Sequence, residues 1–350
     1  MQRINLTDSY SISRVIKGGW QLAGGHGQIN PSQAVEDMFA YYEAGITTFD
    51  CADIYTGVEE LIGNFLKKLR TERSISEANN VQVHTKYVPD RQVLGKLNKA
   101  DIERAIVRST NRLGVEQLDL VQFHWWDFAI PQYIETAMTL AELKQKGLIR
   151  NIGLTNFDPS HIKELVEAGV PLITNQVQYS VLDRRPEKSL QAYCTDNGMT
   201  MLCYGGLAGG FLTERYLGDA EPAMAQLHSN RSLVKYKLII DDLGGWTKFQ
   251  ALLRSLLEVG KNRGLTISEV ALEYILSKPN VSAVIVGARN SQHVMSFAKL
   301  TEHGLTEAEL AKIDYVFGNQ YLLAGDIYEL ERTDERHANI MKYNLNKEDT

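Results

Sequence analysis

SRVIKGGWQLAGGHG, residues 13–27, decides the fold. The segment opens with a β-branched, apolar run that closes on two glycines, which reads as a strand, and the ten residues from 18 to 27 are GGWQLAGGHG. A doubly wound dinucleotide-binding sheet would place GxGxxG there and close its next strand with an acidic residue at the proper interval. That spacing is missing, so the architecture rests on a count of strand candidates along the rest of the chain. Seven further runs have strand character: ITTFD (46–50), VQVHTK (81–86), LDLVQFH (118–124), LIRNIGL (148–154), LITNQVQ (172–178), MTMLCY (199–204) and SAVIVG (282–287). Helical periods begin between them near Pro31, Glu59, Asp101, Pro131, Asp158, Pro186, Trp246 and Ser291, several opened by proline or an acidic residue, as helix starts prefer. AGI (44–46) and KGLI (146–149) put a glycine between helix and strand. Eight strands, each followed by a helix, predict a single-domain (β/α)8 TIM barrel.

Length agrees, because a closed barrel takes about 250 residues plus insertions and the chain has 350. We place the barrel core at residues 13–318 and a polar tail at 319–350, which either packs across an end of the barrel or dangles. A long loop is expected at 205–245, after the seventh strand; such loops serve as lids or stay unstructured.

Composition narrows the class. With 44% hydrophobic and 23% charged residues the chain is globular. Its net charge of -6 and lack of a basic run argue against nucleic acid. Cys51, Cys194 and Cys203 form no CxxC pair, so neither a disulfide framework nor a zinc ribbon is indicated. No apolar run reaches a membrane span and the first residues lack a signal-peptide core, so a soluble cytoplasmic protein is expected.

Active sites of this fold lie where the strands end. The second strand closes on Asp50, the third on Lys86 and the fourth on His124, with Tyr55 five residues past Asp50. Ionisable residues on consecutive strand ends point to one shared mouth. A buried lysine beside a tyrosine favours phenolate and should draw the phenol below its reference value of about 10, while the aspartate compensates the lysine. Tyrosine then serves as a proton donor, and histidine can orient a substrate carbonyl. No side chain supplies electrons, so a hydride cofactor is required. His84, on the Lys86 side of the same strand, reads as a barrel-interior residue. A metal site of His84, His124 and Asp50 would lack paired histidines on the first strand, where Gly18, Gly19 and Trp20 stand, and would leave Tyr55 idle; no metal is expected. Cys51 reads as packing.

In these motifs the chain resembles the aldo-keto reductases. ITTFDCADIY resembles the segment that carries the family's catalytic Asp and Tyr, VHTKYV its lysine strand and LDLVQFHWWD its histidine strand, over roughly residues 13–300. The resemblance implies a carbonyl reductase with NADPH or NADP+ as cofactor and Asp50, Tyr55, Lys86 and His124 as its tetrad. GLTNF and NQVQY imply that Thr155, Asn156 and Gln176 hold the nicotinamide carboxamide, and Tyr204 resembles the aromatic beneath its ring. Trp20 and Asp50 are counted with the cofactor residues. GGLAGGFLTERY resembles the pyrophosphate loop, implicating Gly206, Leu207 and Arg215, with Arg231 as a further phosphate contact. VGARNSQH resembles the adenosine-phosphate site, naming Gly287, Arg289 and His293; a Gly-x-Arg that opens a helix also suits an anion on physical grounds. Arg289 favours NADP(H).

Two departures stand out. The Gln and Asn that family members place four residues apart to hold adenine are here Gln292 with Ser296, or His293 with Phe297, and Phe297 could stack in the asparagine's place. Trp125 and Trp126, with Trp20, are candidates for an apolar substrate mouth. The resemblance also admits a cofactor-binding regulatory subunit, like the family's potassium-channel β subunits, or a sugar or alcohol dehydrogenase working oxidatively. The histidine that some of those subunits replace is present as His124. Oligomeric state is not legible in the sequence.

Overall fold

The computed structural model describes residues 1–23, 28–228, 230–300, 304–318 and 323–346. Residues 24–27 of the opening stretch, and 319–322 and 347–350 of the tail, lie outside them. The protein is a single-domain (β/α)8 barrel. Its closed sheet consists of β3 (Val15–Gly18), β4 (Thr48–Asp50), β5 (Gln82–Tyr87), β6 (Leu118–His124), β7 (Ile149–Thr155), β8 (Leu172–Gln178), β9 (Thr200–Tyr204) and β10 (Val281–Gly287), all parallel, with β10 closing on β3. Strands with both faces covered read as near-continuous apolar runs, which is why all eight are visible in the sequence.

Alternation along each strand divides its side chains between two cores. Outward residues such as Phe49, Val83, Val121 and Leu154 pack beneath the helices. Ile16, Leu120, Leu202, Ala283 and Ile285 fill the barrel's lower interior. Below them lies a hairpin that the strand count does not include, β1 (Arg3–Thr7) paired with β2 (Tyr10–Ser13). Its Tyr10 and Ile12 join the interior cluster, and the Tyr10 hydroxyl lies 3.0 Å from His84 Nε2.

Helix starts follow their caps. Asp158 caps Pro159–Glu167 through its side chain, and Asn30 caps Pro31–Glu43 ahead of its first-turn proline. The helix expected near Asp101 begins at Lys99, because Asn98 and Asp101 form a capping box. Pro186 opens only a 3₁₀ turn (Arg185–Glu187), ahead of the helix Leu190–Asp196, and the last crossover helix is a short Val294–Ala298. The segment expected as a loop at 205–245 contains a 12-residue helix, Arg231–Asp242. A further helix, Ile267–Leu276, is set by a Thr266–Glu269 capping box. The described part of the tail packs across the carboxyl end of the barrel, carrying helices Glu329–Thr333 and Glu335–Ala338.

Candidate active site

Strand register brings the polar residues to one level. Gly18 stands beside Asp50, Lys86 beside Gln122, His124 beside Thr155, Thr155 beside Gln176, and Gln178 beside Tyr204. Gly19 lets the first strand end approach the second, donating its N–H to Asp50 O at 2.7 Å; a Cβ there would come within 2.8 Å of that oxygen. At the opposite side Gly205, with φ +80°, turns the chain out of β9 against Tyr236.

Asp50 and Lys86 form a buried ion pair, each side chain 4% exposed. Lys86 Nζ donates to both carboxylate oxygens, at 2.8 Å to Oδ2, and at 2.8 Å to the carbonyl of Cys51. It lies 5.1 Å from the centre of the Tyr55 ring. Burial works to lower the ammonium's pKa, but Asp50 and Tyr55 outweigh it and hold the pKa above the usual lysine value. Tyr55 corrects an expectation. Burial raises its pKa above the ordinary phenol value despite the pull of Lys86, because the ammonium is shared with a carboxylate that pushes the opposite way. The phenol is therefore a protonated group at neutral pH.

The loop that carries Tyr55 is fastened by Asp53, a residue that none of the sequence motifs singles out. Its carboxylate accepts from Val88 N at 3.1 Å, and its own N–H donates to Lys86 O at 3.2 Å. The DxxD spacing from Asp50 is the signal that could have found it. Cys51 is fully buried and its thiol is pushed well up by burial, in keeping with packing.

His124 Nδ1 lies 3.0 Å from the carbonyl of Thr155. A carbonyl only accepts, so Nδ1 carries the proton and Nε2, buried and without a partner among the described residues, presents a lone pair. Burial and the nearby Arg332 lower the imidazole pKa to about 3, so Nε2 accepts rather than donates at neutral pH. Trp126 stands edge-on to His124 at 4.4 Å and Trp20 lies 5.0 Å from Tyr55, both at the rim. Trp125 does not join them. It is fully buried, its indole N–H donating to the carbonyls of Asp127 and Ile130, because the strand's alternation turns it away from His124.

Further round the mouth the residues proposed for a cofactor do come together. Tyr204 donates its hydroxyl to Asn156 Oδ1 at 2.9 Å, leaving the Asn156 amide nitrogen without a partner among the described residues. Asn156 holds φ 61°, a left-handed conformation that asparagine tolerates. Gln176 Nε2 donates to Asp50 Oδ2 at 2.8 Å. The Thr155 hydroxyl is buried and has no partner among the described residues. These unsatisfied polar atoms fit a polar, planar ligand. Gly206 and Leu207 come directly after the Gly205 turn, ahead of a 3₁₀ segment that contacts the helix Arg231–Asp242. Gly287 is exposed at the end of β10, and a Cβ there would meet the Gln21 amide at 2.2 Å. Arg289 is exposed and makes no ion pair among the described residues.

Other assignments are revised. Arg231 donates to the carbonyl of Ile340 and so clamps the tail instead of standing free for phosphate. Phe297 is 4% exposed and packs in the core, so it cannot stack on adenine, while His293 is exposed beside it. Arg215 is exposed, its guanidinium over the ring of Tyr216.

The tail supplies site residues that no sequence motif reveals. Tyr328 stands edge-on to His124 at 5.6 Å, and Tyr343 to Trp126 at 5.1 Å. Arg332 donates to the carbonyls of Trp125 and Asn156, at 3.2 and 3.0 Å, joining the ends of β6 and β7. A buried ion network anchors the segment: Arg185 is shared between Asp183 and Glu331, and Lys235 also reaches Glu331 at 3.1 Å. Among the described residues no cluster of three or more His, Cys, Asp or Glu could hold a metal ion, and no helix is long and apolar enough to cross a membrane.

Comparison with known proteins agrees with this geometry. The model of the aldo/keto reductase family matches residues 14–317. The NADH-specific methylglyoxal reductase of Escherichia coli is 29% identical over 329 residues, covering 88% of this chain and 96% of that protein. The chloroplastic pyridoxal reductase of Arabidopsis thaliana is 28% identical, covering 87% and 83%. Among solved structures, the glycerol dehydrogenase of Gluconobacter oxydans superposes with a TM-score of 0.76 at 25% identity, over 93% of this chain and 97% of that one. The chain belongs to the aldo/keto reductase family of oxidoreductases, which use nicotinamide cofactors.

Proposed function

We propose that the protein is an NADP(H)-dependent reductase of aldehydes or ketones, acting reversibly, with Asp50, Tyr55, Lys86 and His124 as its catalytic residues. The observation that carries this reading is the buried Lys86–Asp50 pair set against a protonated Tyr55 at the barrel mouth. A nicotinamide dinucleotide, when bound, supplies the hydride. Thr155, Asn156 and Gln176 would hold its carboxamide, Tyr204 its ring, Gly206, Leu207 and Arg215 its pyrophosphate, and Gly287, Arg289 and His293 its adenosine end.

Tyr55 donates its hydroxyl to the substrate carbonyl, polarises it and delivers the proton as negative charge builds on that oxygen. Lys86 stabilises the phenolate left behind, and Asp50 keeps the ammonium charged and aimed. Trp20, Trp126 and the tail aromatics Tyr328 and Tyr343 enclose the substrate and exclude water. His124 accepts from the hydroxyl as it forms. In the opposite direction Tyr55, ionised beside Lys86, would take the proton of an alcohol substrate.

Arg289, exposed and without an ion pair among the described residues, supports NADP(H), whereas the Escherichia coli relative is named for NADH, so the two cofactors are to be titrated separately. The proposal includes cytoplasmic action on small molecules by a single cofactor-binding domain. Tyr55→Phe tests it. The variant should bind cofactor as the wild type does and lose turnover by more than about a hundredfold, in line with the contribution of general acid catalysis. Wild-type turnover would refute the assignment.

A further inference from the structure

Gln122 does no chemistry in the proposal, yet it lies fully buried two residues before His124, on the inward face of β6. Its Nε2 donates to Asp50 Oδ2 at 3.0 Å and its Oε1 accepts from Gln176 Nε2 at 2.7 Å, while Gln176 Nε2 also donates to Asp50 Oδ2 at 2.8 Å. Asp50, Gln122 and Gln176 therefore close a triangle of three hydrogen bonds.

The polarity of that triangle has one solution. An ionised Asp50, paired with Lys86, can only accept, so both amides must turn a nitrogen toward it. With its nitrogen on Asp50, Gln122 offers its oxygen to Gln176. That oxygen takes the second N–H of Gln176, so both protons of the Gln176 amide are engaged. The remaining group, Gln176 Oε1, has no partner among the described residues. Without Gln122, one N–H of Gln176 loses its acceptor and the amide keeps only its bond to Asp50 Oδ2, about which it can swing.

Across the mouth Tyr204 fixes the Asn156 amide in the opposite sense, nitrogen outward. One amide thus presents an acceptor and the other a donor, the complement of a primary carboxamide with its N–H2 and its carbonyl. We infer that Gln122 is a positioning residue that, together with Asp50, holds the orientation of the Gln176 amide and so makes the site select a carboxamide nitrogen. This rests on the nicotinamide reading above and adds to it a residue that never touches the cofactor.

The test is binding, read by quenching of tryptophan fluorescence, of the oxidised cofactor and of its 3-acetylpyridine analogue, in which a methyl group replaces the amide nitrogen. Wild-type protein should bind the analogue about threefold to tenfold more weakly, the loss of one buried hydrogen bond. In Gln122→Met the preference should shrink, through weaker binding of the natural cofactor and little change for the analogue. Gln122→Glu provides the rescue. Its carboxyl accepts from Gln176 in either state of ionisation, so the preference should return toward the wild-type value. A wild-type preference retained in Gln122→Met overturns the inference, as does a preference lost in Gln122→Glu where Gln122→Met fails to fold. Wild-type protein that binds neither compound refutes the nicotinamide reading itself, and is told apart from the first result by the wild-type titration alone.

Discussion

Replacing Glu331 by glutamine tests how the tail is held over the site. Glu331 is completely buried; its two oxygens receive Arg185 Nη1 at 3.1 Å, Arg185 Nη2 at 3.3 Å and Lys235 Nζ at 3.1 Å. Burial alone would raise its pKa, but Lys235 and Arg185 outweigh burial and hold the carboxyl well below the usual carboxylate range. Glutamine keeps the volume and removes one negative charge, leaving two buried cations against Asp183 alone. Breaking a buried pair by removing one partner costs about 3–5 kcal/mol, which corresponds to a factor of about a hundred to several thousand in docking. The tail can relieve that cost by lifting off and exposing Arg185 and Lys235 to water. The effect should therefore appear as local opening, with a smaller change in melting temperature. Limited trypsin digestion reads it directly, since Arg332, Arg336 and Lys342 lie in the segment, and cleavage there should accelerate by more than tenfold. KM for any accepted carbonyl should rise as Tyr328 and Tyr343 leave the mouth. The wild type should show the same opening in acid: a depressed folded-state pKa gives docking energy that is complete above the unfolded value of about 4.3 and lost as pH falls below it. Unchanged tail cleavage and unchanged KM in Glu331→Gln would refute the reasoning.

Other perturbations test further contacts. His84 is buried against Tyr10, with a pKa lowered by burial to about 3. The unfolded chain therefore takes up a proton below about pH 6.5 that the fold refuses, and stability falls as pH falls, by about 1.4 kcal/mol per unit for this one group. Urea midpoints at pH 5 and 6.5 should show that slope reduced by this amount in His84→Gln, and an unaltered slope would contradict it. Arg289→Ala should weaken NADPH by about tenfold or more, the value of a charge-assisted hydrogen bond, and leave NADH nearly unchanged; equal losses in the two fluorescence titrations would remove the phosphate assignment.

Legibility in the sequence divides along physical lines. β6 and β8 appear at the residues expected, because strands covered on both faces leave an apolar signature that ends where polar chemistry begins. Asp50, Lys86 and His124 are legible for the same reason. The hairpin Arg3–Ser13 is not, since four or five residues with one covered face give too little alternation, although Ile4, Leu6, Tyr10 and Ile12 carry its apolar side. Nor is the tail: Arg185 meets Glu331 across 146 positions, and no local pattern encodes such a pairing. Trp125 and Trp126 look alike in the sequence, yet adjacent residues at a strand end leave on opposite sides. The direction of the Tyr55 shift escapes an argument from charges alone, because burial outweighs them. Gln122 does carry a signal, a polar amide among apolar residues in register with His124.

The hairpin beneath the barrel has a consequence for turnover. With Tyr10 and Ile12 plugging the amino-terminal end and Ile16, Leu120 and Leu202 stacked above them, the barrel is a blind well open at one end only. In the proposed reaction each reduction takes a proton from Tyr55, and among the described residues the floor offers its replacement no route, His84 there staying neutral. Reprotonation must come down the same opening that admits substrate, past Trp20, Trp126 and the tail. Resupply of the catalytic proton and exchange of product for substrate thus share one doorway, and whatever holds that doorway shut also sets how quickly the acid is reloaded.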